Sequence, residues 1–149
     1  MFDKDVMQSI DESVLCWLAS ADGEGNPSVS PKEVFSAWGD SELIIANIAS
    51  PNTIRNLKTN SSVCVSFVHV FKQKGFKIYG TAEYLKESDQ GYQPRHAALK
   101  PMVGEAFNII GIIKITASKV QPIVAPSYRF YPETTEEAQI ESARKTYGV

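Results

Sequence analysis

Glu42-Leu43-Ile44-Ile45-Ala46-Asn47-Ile48-Ala49-Ser50-Pro51-Asn52-Thr53-Ile54-Arg55-Asn56-Leu57-Lys58 decides the fold. Its first seven residues make a near-continuous apolar run, the pattern of a strand buried on both faces. Ser50 then stands where a helix N-cap belongs, Pro51 suits the first helical position, and Ile54 with Leu57 forms one apolar face. Asn60-Ser61-Ser62 stops this short helix. Val63 to Phe71 resumes as a strand, with Val63, Val65, Phe67 and His69 on one side and Cys64, Ser66 and Val68 on the other.

Working outward, strands are expected over Val14–Ala21, Ser28–Trp38, Phe76–Leu85 and Ile109–Val120, which with the two above makes six. Pro31 interrupts the Ser28–Trp38 strand and, having no N–H to give, implies an edge or a bulge. Lys72-Gln73-Lys74-Gly75 reads as a hairpin connection carrying its glycine. Phe2, Val6 and Ile10 recur every four residues and predict a helix from about Asp3 to Glu12. Ser88–Ala106 reads as helix and loop broken by Pro94 and Pro101, and a charged helix is expected from about Thr134 to Tyr147. Regularly spaced strands with one short helix between the third and fourth predict a mainly β fold. The expected architecture is a six-stranded antiparallel split barrel with flanking helices, one domain over residues 1–149.

The bulk numbers narrow the function. Lys and Arg total 15 against 17 Asp and Glu, a net charge of −2, which argues against a nucleic-acid partner and leaves room for a small anion. No apolar run reaches the ~18 residues of a membrane span, and the start Met1-Phe2-Asp3-Lys4-Asp5 is not that of a signal peptide, so the cytoplasm is the expected location. Cys16 and Cys64 sit in apolar segments and are expected as free thiols. Gly23-Glu24-Gly25 lies in a turn and is no dinucleotide fingerprint; there is no P-loop and no nucleophile elbow. Two histidines, His69 and His96, and no paired cysteines predict no metal site. What remains is an anion site at the start of the short helix, where Ser50 and Thr53 offer hydroxyls and Arg55, Lys58, Lys74 and Lys77 offer cations.

Three pieces resemble, in order, the pyridoxamine 5′-phosphate oxidase-like FMN-binding split-barrel family. They are Pro27-Ser28-Val29-Ser30-Pro31-Lys32-Glu33-Val34, then Ile45 to Leu57 with Asn60 to Phe67, then Lys74-Gly75-Phe76-Lys77-Ile78-Tyr79-Gly80-Thr81-Ala82-Glu83. The resemblance implies a homodimer with FMN in the interface. It implies that Ser30, Pro31 and Lys32 border the isoalloxazine ring and that Ala46, Asn47 and Ile48 line the flavin. Ser50 and Thr53, with Arg55 or Asn56, would hold the phosphate, while Lys74 and Gly75 would approach from the fifth strand. The apolar Ile109, Ile110, Ile112 and Ile113 are expected to add to the dimer face. The resemblance has limits: Pro51 and Asn52 stand where the oxidases carry basic residues after the third strand, and Ser127-Tyr128-Arg129-Phe130-Tyr131-Pro132 lacks their Arg-Leu-His-Asp-Arg substrate strand. The expected function is therefore an FMN-dependent oxidoreductase of unknown substrate, with no catalytic side chain assigned. A non-catalytic electron-transfer or sensing flavin module, or a split barrel holding deazaflavin or haem, are the alternatives.

Overall fold

The computed structural model describes residues 1–149. Helix α1 (Lys4–Glu12) precedes the strands β1 (Cys16–Ala21), β2 (Pro27–Lys32), β3 (Phe35–Trp38) and β4 (Glu42–Asn47). Then come α2 (Pro51–Leu57), β5 (Ser62–His69), β6 (Lys74–Leu85), α3 (Tyr92–Val103), β7 (Gly111–Val124), α4 (Pro126–Phe130) and α5 (Glu136–Tyr147). All pairings are antiparallel, in one sheet of order β2-β1-β5-β6-β7-β4-β3.

The strands number seven and not six, because the expected Ser28–Trp38 strand is two. β2 and β3 lie at opposite edges of the sheet, yet only Glu33 and Val34 join them. Three Cα steps reach at most about 11 Å, so the two edges must meet at that corner. The sheet therefore curls into a barrel, and the Ala46 N–H donates to the Val34 carbonyl at 3.0 Å beside the corner. No residue there has a left-handed φ, so no glycine marks the break in sequence. Pro31 is tolerated because β2 is an edge strand, paired with β1 on one side only.

β4 shows why the apolar run is continuous. Leu43 and Ile45 join Leu18, Val65, Phe67, Ile78, Ile113 and Ile115 inside the barrel, with Phe2, Val6 and Ile10 of α1 packed onto the same core. Ile44 and Ala46 face the other way, under α3, with Leu85, Tyr92, Leu99 and Ile112. Arg95 of α3 pairs with Glu42 at 2.8 Å and stacks over Trp38. α3 runs through both prolines that were expected to break it. Pro94 falls in its first turn, where an N–H has no intrahelical acceptor, and Pro101 costs one bond near the end. β7 likewise runs past Pro122, since β4 pairs only with Gly111–Thr116 and leaves the remainder with β6 alone.

The isoleucines before and within β7 do not form a free face. Ile112 and Ile113 are buried inside the chain, and Ile110 is the exposed one. Gly75 was read as a turn glycine, but the left-handed residue of the β5–β6 turn is Gln73, with φ 55°. Gly75 is needed instead because a Cβ there would strike the Phe67 carbonyl on the neighbouring strand. No helix is long and apolar enough to cross a membrane.

Candidate functional site

β2 differs from every other strand in what it turns inward. Ser28, Ser30 and Lys32 face the barrel side, opposite Ser20, Leu18 and Cys16 of β1. A polar inner face cannot be sealed against an apolar core, and the barrel is open here. The opening is a cleft of about 640 Å³ bounded by Ser28–Val34, by Ala46, Ile48 and Ala49, and by Ser50–Thr53 at the start of α2. Met102 and Val103 at the end of α3, with Phe107 of the following loop, close it. That size lies within the range of small-molecule sites.

Lys32 is the decisive residue. Its side chain reaches across the opening and its Nζ donates to Ser50 Oγ. The residue is 8% exposed, and no carboxylate pairs with it. Burial pulls its ammonium below the usual lysine pKa. The adjacent Cys16 cannot serve as counter-ion, because burial pushes that thiol up to about 12. Thr53, 4% exposed, adds its hydroxyl-bearing side chain to those of Ser28, Ser30 and Ser50 on the cleft wall. Ser50 occupies the N-cap position of α2, but its hydroxyl makes no capping bond and is engaged by Lys32 instead.

The remaining sequence-derived residues divide clearly. Ser30, Pro31, Lys32, Ala46, Ile48, Ser50 and Thr53 all line the cleft. Asn47 stands behind it, accepting the Ser50 N–H at 3.0 Å and donating to Tyr84 Oη at 2.7 Å. Asn56 donates to Ser20 Oγ at 3.0 Å and so ties α2 to β1. Arg55 is exposed, donates to Asn52 at 3.1 Å, and borders with Lys58 an adjoining depression that shares Ala49, Ser50 and Pro51 with the cleft. Lys74 and Gly75 lie elsewhere in the chain, in a charged groove with Glu12, His69, Lys72 and Glu136. Sequence reasoning did not assign Ser28, Val29, Glu33, Val34, Ala49, Pro51, Asn52, Met102, Val103 or Phe107 to the lining. The alternation of β2 could have signalled Ser28; the α3 residues arrive by tertiary packing and carry no local signal.

Residues 2–123 match the family profile described as pyridoxamine 5′-phosphate oxidase. No curated protein matches the sequence significantly. Among solved structures, HupZ of Group A Streptococcus is similar at 21% identity and TM-score 0.68, covering 80% of this chain and 92% of that one. An FMN-binding protein from Syntrophomonas wolfei matches at 14% identity and TM-score 0.68, covering 83% and 89%. HutZ, the haem storage protein from Vibrio cholerae, matches at 16% identity and TM-score 0.64, covering 83% and 96%. At such identities these three likenesses speak for the fold alone.

Proposed function

This chain belongs to the pyridoxamine 5′-phosphate oxidase family, and on that premise we propose that it is an FMN-dependent oxidoreductase whose flavin sits in the β2–α2 cleft. The observation that carries the reading is Lys32, a buried ammonium without a carboxylate at the wall of an open cleft. Such a charge is costly to bury alone, and an anionic group brought by a ligand would offset that cost. Lys32, Ser50 and Thr53 would hold the phosphate, which shifts Lys32 from the ring border to the anionic end. Ser30, Pro31, Val34, Ala46, Ile48 and Phe107 would flank the ring system. Bound there, FMN supplies hydride and single-electron chemistry, while the chain orients it and excludes water. Exposed Trp17 and Val29, on the outward face of β1 and β2, support a homodimer contact beside the cleft.

The lining also speaks on the rivals. Lys32 and Glu33 are its only ionisable groups, and Glu33 is exposed. That favours a second reading, a flavin module that passes or senses electrons without turnover. Haem needs an axial His, Cys, Tyr or Met, and of these only Met102 lines the cleft. The visible spectrum of protein purified without added cofactor tests the assignment. A flavin spectrum, or stoichiometric FMN uptake by colourless protein, is expected; a Soret band with no flavin uptake overturns it. Steady NADH or NADPH oxidation with an acceptor separates enzyme from binder.

A further inference from the structure

A chain of hydrogen bonds runs from the cleft to Tyr84 of β6. Lys32 Nζ donates to Ser50 Oγ, the Ser50 N–H donates to Asn47 Oδ1, and Asn47 Nδ2 donates to Tyr84 Oη. The direction of the middle links is forced. A backbone N–H can only donate, so Asn47 must turn its carbonyl oxygen to Ser50, leaving its amide nitrogen for Tyr84. Asn47 is buried at the end of β4, and the links to Tyr84 of β6 and Ser50 of α2 span 37 and 3 residues. Tyr84 is itself confined: a Cβ on Gly111 would collide with its phenol ring and hydroxyl.

We propose that Asn47 and Tyr84 are positioning residues, which fix Ser50 and through it the Lys32 ammonium at the anion end of the cleft. The Ser50 hydroxyl makes no capping bond, and the Asn47 oxygen instead anchors Ser50 by accepting its backbone N–H, the donor that the N3 side chain takes in a capping box. Asn47, expected from sequence to touch the flavin, acts one layer behind it. The inference rests on the flavin reading for its functional consequence, while its structural claim stands without any ligand.

Two variants test it, each with a readout that needs no ligand and one that does. Asn47→Ala removes the Ser50 acceptor; Tyr84→Phe removes only the group that orients it. In ligand-free protein, the Ser50 amide should exchange with solvent at least about tenfold faster in Asn47→Ala, with core amides such as Ile78 unchanged. Tyr84→Phe should speed Ser50 less, and in the same direction. On titration, both should weaken FMN by about three- to tenfold and leave riboflavin nearly unchanged. Asn47→Asp keeps the acceptor and should restore Ser50 protection. Unchanged Ser50 exchange in Asn47→Ala overturns the proposal, whatever binds. Equal losses for FMN and riboflavin overturn it as well. If the parent protein binds neither flavin while Ser50 exchange responds as expected, the positioning stands and the flavin reading fails.

Discussion

The lysines at the two ends of β2 and β6 live under opposite rules. Lys32, at the cleft, is buried and has a hydroxyl but no carboxylate. Lys72 and Lys74, in the groove at the β5–β6 turn, each meet a carboxylate: Glu12 at 2.9 Å and Glu136 at 3.1 Å. Lys74 also sits over the Tyr128 ring, and Tyr128 Oη donates to the Lys72 carbonyl. The groove thus neutralises its own charges and uses them to fasten α1, α4 and α5 to the barrel. The cleft leaves its charge uncompensated. Stability alone would select against a buried, unpaired cation, and a ligand anion is what we propose completes it.

Lys32→Met should give the largest departure between the two ends. Removing a buried unpaired charge should raise the stability of ligand-free protein by about 1–2 kcal/mol, read by urea denaturation. The pH dependence gives a second signature. Because Lys32 binds its proton more weakly folded than unfolded, wild-type stability should climb as pH rises from the lowered folded value toward 10.5. That climb should flatten in Lys32→Met. A variant less stable than wild type, with the same high-pH climb, would place Lys32 among the structural lysines.

The next contrast is within α2. Thr53→Val keeps the buried shape but removes the hydroxyl from the cleft, and should weaken FMN by about 1 kcal/mol, near fivefold. Arg55→Ala, on the exposed side, should change FMN affinity by less than about twofold. The reverse ranking would move the phosphate to the depression shared by Arg55 and Lys58.

The smallest effect belongs to the groove. Glu136→Gln should cost at most about 0.5 kcal/mol, since its pair with Lys74 is well exposed to water, and the loss should vanish in 1 M salt. The Lys72 hydrogen bond holds the Glu12 carboxyl below its usual value, and the same bond raises Lys72. Their small contribution should therefore fade as pH falls through the lowered Glu12 value and again as it rises through the raised Lys72 value. A Glu136→Gln variant that also lost FMN binding would show that the groove serves the flavin.

These contrasts also mark what the sequence could show. The β4–α2–β5 stretch was legible because its period, its Ser-Pro start and its stop are all local. Seven cleft residues, Ser30, Pro31, Lys32, Ala46, Ile48, Ser50 and Thr53, followed from it and from β2. The split of Ser28–Trp38 into two opposite edges was not legible, because Glu33 and Val34 turn the corner without a glycine or a left-handed residue. Burial of Lys32 depends on β2 being paired on one side only and open to α2 on the other. The Asn47–Tyr84 bond joins residues 37 positions apart, and the roles of Asn56 and Arg55 were set by which side of α2 meets β1. Composition carries none of that.

The central claim is that the uncompensated Lys32 charge is the seat of an anionic flavin, and one calorimetric comparison tests it most directly. Ligand-free wild type and Lys32→Met, both verified as folded, are titrated with FMN and with riboflavin at neutral pH. Wild type should prefer FMN, and Lys32→Met should lose about 1.5–3 kcal/mol of FMN binding, ten- to a hundredfold, while riboflavin binding barely moves. An undiminished preference for FMN in Lys32→Met would contradict the account.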